Sequence, residues 1–325
     1  MLRSRIGACL TALFCLTAPA TAQDWPTRPV TVVVAAAAGG PIDVFGRIMA
    51  ERLSDLLGQR VTIENVGGGG GTMGGQRVAR AAPDGYTVLL GTVATHTNPQ
   101  LLMDKPPYDP VGDFVPVALM AEIPLVLIAR KDLPVNTFPE FVAYAKANQD
   151  KMNYGSAGNG SAAHLGCVML DNAMGTKIQH VPYRGTALAM QDLAAGRIDF
   201  LCEIAVTAVQ NIKAGTVKGI ANLSGQRSPV LPDLATAAEG GLPSVQAYTW
   251  TALFLPKDTP APIAAKLQKA VADAMETPAL REQLQNLAAV FVAPERRSSA
   301  YLGGFVKSEL TKWGDAMRAS GVIPK

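Results

Sequence analysis

The sequence predicts an α/β protein with two lobes, each built on a mostly parallel sheet that is flanked by helices. Val30–Val34 is a continuous β-branched run, which is typical of a strand buried on both faces of a parallel sheet. Short apolar strands then alternate with amphipathic helices, and this alternation indicates right-handed βαβ units. At 325 residues the chain is too long for one typical domain and suits two.

The first lobe begins with alternating strands and helices. Strands are predicted at 30–34, 60–64 and 86–91, and helices at 43–57 and 76–82. Gly39-Gly40-Pro41 forms the turn after the first strand, and Pro83-Asp84-Gly85 forms the turn before the third. Five consecutive glycines at 67–71 follow the second strand. They predict either a ligand-binding loop or a flexible surface turn.

A long extended stretch at 115–129 is interpreted as the crossing into the second lobe. That lobe is predicted to hold strands at 152–155, 178–181, 198–202 and 217–223, and helices at 139–149, 161–174, 186–195 and 205–214. A return strand at 248–255 precedes helices at 261–275, 278–287 and 294–319, with a short strand at 289–291. In the last helix, Trp313 is expected to pack against the protein rather than to contact ligand.

The predicted division is a signal peptide at 1–22, lobe 1 at 23–122 plus 250–325, and lobe 2 at 123–249. A lobe interrupted by another lobe, with two crossing strands, predicts a hinged binding protein. Ligands of open α/β sheets bind at the carboxyl ends of the strands, so we expect the site in the cleft between the lobes.

The first 22 residues have the three parts of a secretory signal. Arg3 and Arg5 supply the charged region, an apolar run covers 6–16, and Ala20-Thr21-Ala22 is a small-residue cleavage site. A retained membrane anchor is the alternative, but it needs a longer apolar run. We therefore expect export and cleavage after Ala22.

Of the four cysteines, Cys9 and Cys15 belong to the predicted signal, and Cys167 and Cys202 remain in the mature chain. Two cysteines in an oxidising compartment can form a disulfide. The alternative is a pair of buried thiols that pack as small apolar groups. The sequence leaves both open.

Composition and motif spacing argue against two classes of function. The formal net charge of +3 and the absence of a basic run interleaved with aromatic residues argue against nucleic-acid binding. The three histidines lack metal-ligand spacing, and the Gly-x-Ser-x-Gly motif of a nucleophile elbow is absent. We therefore expect neither an enzyme, nor a cofactor, nor a metal site.

Two loops of the first lobe are candidates for binding a carboxylate. They are Gly-rich or small-residue turns after the first and third strands, and such turns leave backbone N–H groups free at a helix start. The first is neither a Gly-x-Gly-x-x-Gly fingerprint nor a phosphate loop. The alternative is that this first loop is only a tight turn between strand and helix, with Asp43 as the helix cap. The candidate residues are Ala37, Gly39, Gly40, Pro41 and Asp43 in the first loop and Thr92, Thr95 and His96 in the second.

Two further loops of the second lobe are predicted to face the same cleft. The first forms a helix-start nest of backbone N–H groups, in which His164 is either a ligand contact or a structural histidine. In the second, the fork of Arg184 suits a carboxylate, although a plain surface arginine remains the alternative. The candidate residues are Ser156, Ala157, Gly158, Gly160, Ser161 and His164, followed by Arg184, Gly185 and Thr186.

From about Trp25 onward the chain resembles the Bug family, the extracytoplasmic solute-binding proteins of tripartite tricarboxylate transporters. The residues that carry the resemblance are Gly39-Gly40 with Asp43, Ala81-Ala-Pro-Asp-Gly-Tyr86, Asn153-Tyr-Gly-Ser156, His180-Val-Pro-Tyr-Arg-Gly185 and Leu231-Pro-Asp233. The resemblance implies a type II periplasmic binding protein, and we expect it to be a monomer. It also implies that the protein delivers a carboxylate ligand to the membrane subunits of such a transporter. An alternative role is sensing, with a signal passed to a membrane partner.

The resemblance also implies that the strand end at Glu203 contributes to the second-lobe site. Family members usually carry Pro-Phe-x-Pro where this chain has four alanines at 35–38. Loss of a ring at Ala36 predicts a wider cleft and a bulkier ligand. One subgroup has Asp-Gln where Glu203 and Ile204 stand, so that subgroup's specificity is not carried over.

Overall fold

The computed structural model describes residues 25–319, and the predicted signal peptide lies outside the described residues. The chain forms a curled ten-stranded sheet flanked by helices. The strands are β1 (Val30–Val34), β2 (Val61–Asn65), β3 (Thr87–Gly91), β4 (Phe114–Ala129), β5 (Asn153–Ser156), β6 (Gln179–Pro182), β7 (Phe200–Ile204), β8 (Lys218–Asn222), β9 (Tyr248–Pro256) and β10 (Val290–Phe291).

Eleven α-helices fill the connections within the described range. They are α1 (Pro41–Leu57), α2 (Thr72–Ala79), α3 (Val93–His96), α4 (Asn98–Leu102), α5 (Phe138–Asn148), α6 (Ala162–Met174), α7 (Thr186–Ala194), α8 (Ala205–Lys213), α9 (Ala261–Met275), α10 (Pro278–Gln285) and α11 (Ser299–Ala319). Short 3₁₀ turns occur at Gly69–Gly71, Gln149–Lys151 and Pro294–Arg296.

The sheet consists of two parallel groups joined by antiparallel strands. In the first group β1 pairs in parallel with β2 and β3, and in the second β5 pairs in parallel with β6 and β7. Between them, β9 runs antiparallel to both β3 and β4, and β4 continues antiparallel to β7 and β8. The predicted α/β architecture with parallel sheets in two lobes is therefore confirmed.

One long strand links the two groups. The part of β4 from Phe114 to Pro124 pairs with β9, and the part from Leu125 to Ala129 pairs with β7 and β8. Because one strand serves both groups, its central residues lie at the junction between the lobes. The boundaries drawn at 122/123 and 249/250 fall near this junction and remain a prediction.

Apolar spacing explains how the helices pack on the sheet. In α1 the large buried side chains recur every three or four residues and form one stripe, namely Ile42, Phe45, Met49, Leu53 and Leu57. This stripe joins the main apolar core with β1 and β3. On α11, Trp313 is 3% exposed and donates its Nε1–H to Glu309 at 2.9 Å, so the prediction that Trp313 packs the last helix is confirmed.

Three elements differ from the prediction. Helix α2 begins at Thr72 instead of residue 76, because the glycines before it turn into the helix through left-handed backbone, with φ of 63° at Gly70. The segment after β3, which was expected as a loop, forms α3 and α4. The last helix begins at Ser299 because Pro294–Arg296 forms a separate 3₁₀ turn.

Candidate ligand-binding site

A cavity of about 60 Å³ lies where the carboxyl ends of β1 and β3 face those of β5, β6 and β7. Its volume corresponds to about four to six water-sized groups. Three helices border it with both their N-cap and their first residue, namely Gly40 and Pro41 at α1, Ser161 and Ala162 at α6, and Gly185 and Thr186 at α7. Most of the other residues that line it are alanines, glycines and aliphatic side chains.

The loop before α1 is held in shape by a buried carboxylate. Asp43 is 2% exposed and accepts hydrogen bonds from the backbone N–H of Gly39 and from Nε of Arg47, both at 2.9 Å. Its second oxygen accepts from Nδ2 of Asn65 at 2.9 Å. Burial opposes ionisation, but the hydrogen bonds from Arg47, Gly39 and Asn65 outweigh it and lower the pKa of Asp43. Asp43 therefore supports the loop instead of lining the cavity.

The turn after β3 contributes Thr92 to the cavity. Thr92 is the N-cap of α3, and a capping box with Thr95 closes the turn, with the N–H of Thr92 donating to Oγ1 of Thr95 at 2.9 Å. Ala94, between them, also lines the cavity, whereas Thr95 is fully buried beneath it. Of the two threonines predicted here, only Thr92 faces the cavity.

His96 lies in the aromatic core and not in the cavity wall. Its ring stacks on Phe254 with a centroid separation of 3.7 Å, and Phe114 and Trp250 lie 5.1 and 5.8 Å away. Burial lowers the pKa of His96 to about 3, so the imidazole is neutral. The surrounding rings enclose His96, so the structure places this predicted site residue in the aromatic core and away from the cavity wall.

The loop between β5 and α6 turns sharply at two glycines. Gly158 and Gly160 have φ of 106° and 78°, a region that only glycine enters without strain. Ser161 then caps α6 by accepting the backbone N–H of His164 at 3.2 Å. Ala157 and Ser161 line the cavity, whereas the two glycines shape the turn behind them.

Ser156 and His164 hold this loop from behind. Oγ of Ser156 lies 2.6 Å from Nε2 of His180 and accepts the N–H of Gly158 at 3.0 Å. Nδ1 of His164 accepts the N–H of Gly160 at 3.2 Å. Burial, with a smaller contribution from His180, lowers the pKa of His164 to about 4. His164 is therefore neutral in this structure and holds the backbone of the loop.

Arg184 is the cation of the cavity. It lines the cavity together with Gly185 and Thr186, and it is exposed to solvent. Within residues 25–319 its guanidinium makes neither an ion pair nor a hydrogen bond. The first-lobe loop comes so close that a methyl group built on Gly185 would lie 2.5 Å from Cβ of Ala37. The lobes are thus in contact around an unpaired arginine.

Glu203 lies beneath the cavity. It is 0% exposed, and its Oε1 accepts hydrogen bonds from the hydroxyls of Thr186 at 3.1 Å and Thr207 at 2.8 Å. Its Oε2 has no partner among the described residues. Burial, only partly offset by the two threonine hydrogen bonds, raises the pKa of Glu203 to about 7. The cavity wall itself is formed by the next residue, Ile204.

The glycine segment (residues 67–71) is part of the site. Gly68, Gly70 and Gly71 line the cavity. A methyl group built on Gly70 would lie 2.2 Å from the carbonyl oxygen of Asn159, across the cleft. In this structure the segment packs against the second lobe instead of forming an exposed surface turn.

The glycine segment also bears on the expectation of a wider cleft. Ala36 lines the cavity, as that expectation requires. However, a methyl group built on Gly67 would lie 3.3 Å from the carbonyl carbon of Ala36. Because backbone occupies this side of Ala36, the small cavity gives no support to a bulkier ligand.

The predicted site residues fall into two equal groups. Those that line the cavity are Ala37, Gly40, Pro41, Thr92, Ala157, Ser161, Arg184, Gly185 and Thr186. Those that do not line it are Gly39, Asp43, Thr95, His96, Ser156, Gly158, Gly160, His164 and Glu203. Several of the second group fix the loops that carry the first. The cavity-lining residues that were not among the candidates are Ala35, Ala36, Ile42, Gly68, Gly70, Gly71, Leu90, Ala94, Ala162, Ala163, Ile204 and Thr249.

The two remaining cysteines are free thiols in this structure. Cys167 on α6 and Cys202 on β7 are both 0% exposed. Burial, with the hydrogen bond to Cys202, raises the pKa of the Cys167 thiol well above its ordinary value. Such buried thiols are inert. The structure therefore corresponds to the second alternative, two packed thiols.

A wider groove of about 1110 Å³ lies elsewhere, along residues 122–124, 222–230 and 285–291. Its cations already have partners. Arg227 pairs with Glu239 at 3.0 Å, and Lys312 lies 3.8 Å from Glu309. An anion would have to compete with these carboxylates, so this groove is a poorer carboxylate site than the cavity at Arg184.

The part of the chain that the structure describes contains neither a metal-binding cluster nor a membrane-spanning helix. No cluster of three or more His, Cys, Asp or Glu side chains there could hold a metal ion. Likewise, none of the helices between residues 25 and 319 is sufficiently long and apolar to span a membrane.

Comparison with known proteins identifies the family. The sequence model of the "Tripartite tricarboxylate transporter family receptor" matches residues 45–322. A curated relative from Agrobacterium vitis, the "UPF0065 protein in the TAR-I ttuE-ttuC' intergenic region", is 40% identical and aligns over 98% of this chain and 92% of its own.

Two solved structures match closely. The periplasmic binding protein BugD is 37% identical with a TM-score of 0.89, covering 92% of this chain and 99% of its own. MatC from Rhodopseudomonas palustris, solved with bound malate, is 40% identical with a TM-score of 0.86, covering 90% and 99%. These matches extend over nine tenths or more of the chain. The chain therefore belongs to the tripartite tricarboxylate transporter receptor family, which includes the Bug proteins.

Proposed function

We propose that this protein is a periplasmic solute-binding protein that captures a small organic carboxylate between its lobes and delivers it to the membrane subunits of a tripartite tricarboxylate-type transporter. The observation that carries the proposal is the unpaired Arg184 at a largely apolar cavity bordered by three helix starts. The family membership and the malate bound to MatC support it.

The helix starts and Arg184 supply what a buried carboxylate needs. A carboxylate that leaves water loses its hydration, so charge-assisted hydrogen bonds must replace it. The N-termini of α1, α6 and α7 each carry about half a positive charge, and all three begin at the cavity. The guanidinium of Arg184 adds a full charge and a fork that fits both carboxylate oxygens.

Capture requires the lobes to open and close. The cavity is bounded by residues of both lobes that touch one another, such as Gly185 and Ala37. A ligand of several carbon atoms enters only when these contacts separate, and it then stabilises the closed form by bridging the lobes. We propose no chemical conversion of the ligand, since the cavity lacks a nucleophile paired with a base: its histidine neighbours are neutral and structural.

Thermal unfolding with a panel of acids tests ligand capture. The chain from residue 23 onward is unfolded, refolded to remove bound ligand, and heated with malate, succinate, adipate, citrate or benzoate, and with the uncharged succinamide. A ligand at a hundred times its Kd adds about 2.7 kcal/mol to the free energy of unfolding. A shift with a carboxylate but not with succinamide is expected. No shift with any of the acids overturns carboxylate capture.

Uptake by cells tests delivery separately. Deletion of the gene from its source organism is expected to abolish uptake of the labelled acid, and the full-length chain is expected to restore it. If uptake is unchanged by the deletion while the purified protein binds the acid, the transport role is wrong and the binding role stands.

A further inference from the structure

Thr249 is a buried residue of the cavity wall that has no predicted role. It lies on β9, paired with Ile123 of β4, at the junction between the two lobes. The residue is 1% exposed and belongs to the cavity lining. Among residues 25–319, its hydroxyl oxygen has no hydrogen-bond partner.

The other hydroxyl residues that line the cavity are already engaged by the protein. Ser161 caps α6, and Thr186 donates to Glu203 at 3.1 Å. Thr92 closes the turn of α3 in a capping box. Thr249 thus differs from all three, because its hydroxyl is buried in the wall with its donor and acceptor capacity unused.

Thr249 is a polar residue in a largely apolar cavity wall. Ile204, which also lines the cavity, pairs with Leu125 two residues along β4 from the partner of Thr249. Leu90 and Ile42 are further aliphatic residues of the cavity lining. A buried hydroxyl without a partner is costly, so the arrangement favours a ligand that supplies one.

Building on the proposed function, we propose that Thr249 hydrogen-bonds to the bound ligand and makes the cavity selective for small carboxylates that carry a second polar group, a hydroxyl or another carboxylate. A site with a buried hydrogen-bonding group discriminates strongly against a ligand that leaves this group unpaired. A simple aliphatic monocarboxylate would leave the hydroxyl of Thr249 without a partner. Thr249 is therefore a specificity-determining residue.

Thr251 provides a matched control on the same strand. It pairs with Ala121, is 0% exposed, and its hydroxyl also lacks a partner within the described chain. Unlike Thr249, it does not line the cavity. Valine has the shape of threonine without the hydroxyl, so Thr249→Val and Thr251→Val remove the same group from inside and outside the cavity. Neither substitution removes a hydrogen bond within the protein, and both variants are expected to fold.

The test is calorimetric titration of wild type, Thr249→Val, Thr249→Ser and Thr251→Val with malate, succinate and butyrate. We expect Thr249→Val to weaken malate or succinate binding by about tenfold or more, with no comparable loss for butyrate. Thr249→Ser and Thr251→Val are expected to match wild type. If wild type binds the acids and Thr249→Val binds them equally well, the role of Thr249 is wrong and the proposed function stands. If wild type binds none of these three and none of the other acids of the thermal-unfolding panel, the proposed function fails, and the role of Thr249 with it.

Discussion

Gly70 and Asn159 touch across the cleft, backbone against backbone: a methyl group built on Gly70 would lie 2.2 Å from the carbonyl oxygen of Asn159. Gly70 belongs to the first lobe and Asn159 to the loop between β5 and α6 of the second. No side chain fits between them at this separation, so the contact requires glycine at position 70.

Substitution of Gly70 by alanine is expected to weaken ligand binding by obstructing closure. The added methyl group must push Asn159 away, and we expect Kd to rise by about tenfold or more, a cost of about 1.4 kcal/mol or more. Calorimetric titration with the best acid from the ligand panel measures the change.

Gly69→Ala is the matched control for this substitution. Gly69 has a φ of 57°, close to the 63° of Gly70, so alanine is strained at both positions. A methyl group on Gly69 meets only Thr72 of its own lobe, at 3.5 Å. An equal loss of affinity in both variants would mean that backbone strain, and not the contact with Asn159, is responsible.

Arg184→Ala is expected to lower the affinity for carboxylates by roughly 10- to 100-fold, because charge-assisted hydrogen bonds to the ligand are lost. The stability of the unliganded protein should hardly change, since Arg184 is exposed and makes no ion pair with residues 25–319. Arg184→Lys should be intermediate, as lysine keeps the charge but loses the fork.

The control for Arg184 is Arg80, an exposed arginine at the end of α2 that does not line the cavity. Titration of Arg80→Ala at the same ionic strength corrects for the change in net charge. If Arg184→Ala and Arg80→Ala bind the acid equally well, Arg184 is a surface residue, which was the alternative that the sequence left open.

The sequence located the loops better than the side chains within them. Gly40 and Gly185 were predicted because a strand followed by a glycine and a helix must place backbone at the carboxyl edge of a parallel sheet, a rule that needs only local sequence. The position of His96 could not be predicted in this way. Its burial depends on Trp250 and Phe254, which come from a strand far along the chain.

The contact between Gly70 and Asn159 was beyond prediction for a related reason. The run of glycines was evident, but its partner depends on how the two lobes meet, and no local pattern encodes that. Thr249 was similarly assigned only to a return strand. Its place in the cavity follows from the pairing of β9 with β4 at Ile123, which is a long-range relationship.

Glu203 is expected to make the protein less stable as pH rises. Its pKa is raised by burial to about 7 from an ordinary 4.5, so between these values the folded state binds more protons than the unfolded state. The free energy of unfolding therefore falls as pH rises through this window. Buried histidines such as His96 and His164 act in the opposite direction, because their pKa values are lowered and the unfolded state takes up protons first below about pH 6.5.

Comparison of wild type with Glu203→Gln separates the effect of Glu203 on stability from that of the buried histidines. The stability of wild type relative to this variant should decline between pH 5 and pH 8 by an amount on the order of 3 kcal/mol, measured by urea unfolding at several pH values. Glu282→Gln, which removes the same charge from an exposed position on α10, is the control. A wild-type curve that runs parallel to that of Glu203→Gln would contradict the raised pKa.

Glu309 should prove essential for stability but not for ligand binding. One of its oxygens accepts the indole N–H groups of Trp250 at 3.0 Å and Trp313 at 2.9 Å, and the other accepts the hydroxyl of Tyr248 at 2.8 Å. It thereby ties β9 to α11, although it does not line the cavity. Glu309→Leu leaves the two buried indole N–H groups unpaired, at a cost of roughly 2–6 kcal/mol. Glu309→Gln, which retains one oxygen for both indoles, should lose less.

Urea unfolding measures the stability of both variants. Calorimetric titration with the acid, at a temperature below the unfolding transition, should give both variants the Kd of wild type. An unchanged free energy of unfolding in Glu309→Leu would show that these hydrogen bonds do not hold β9 to α11.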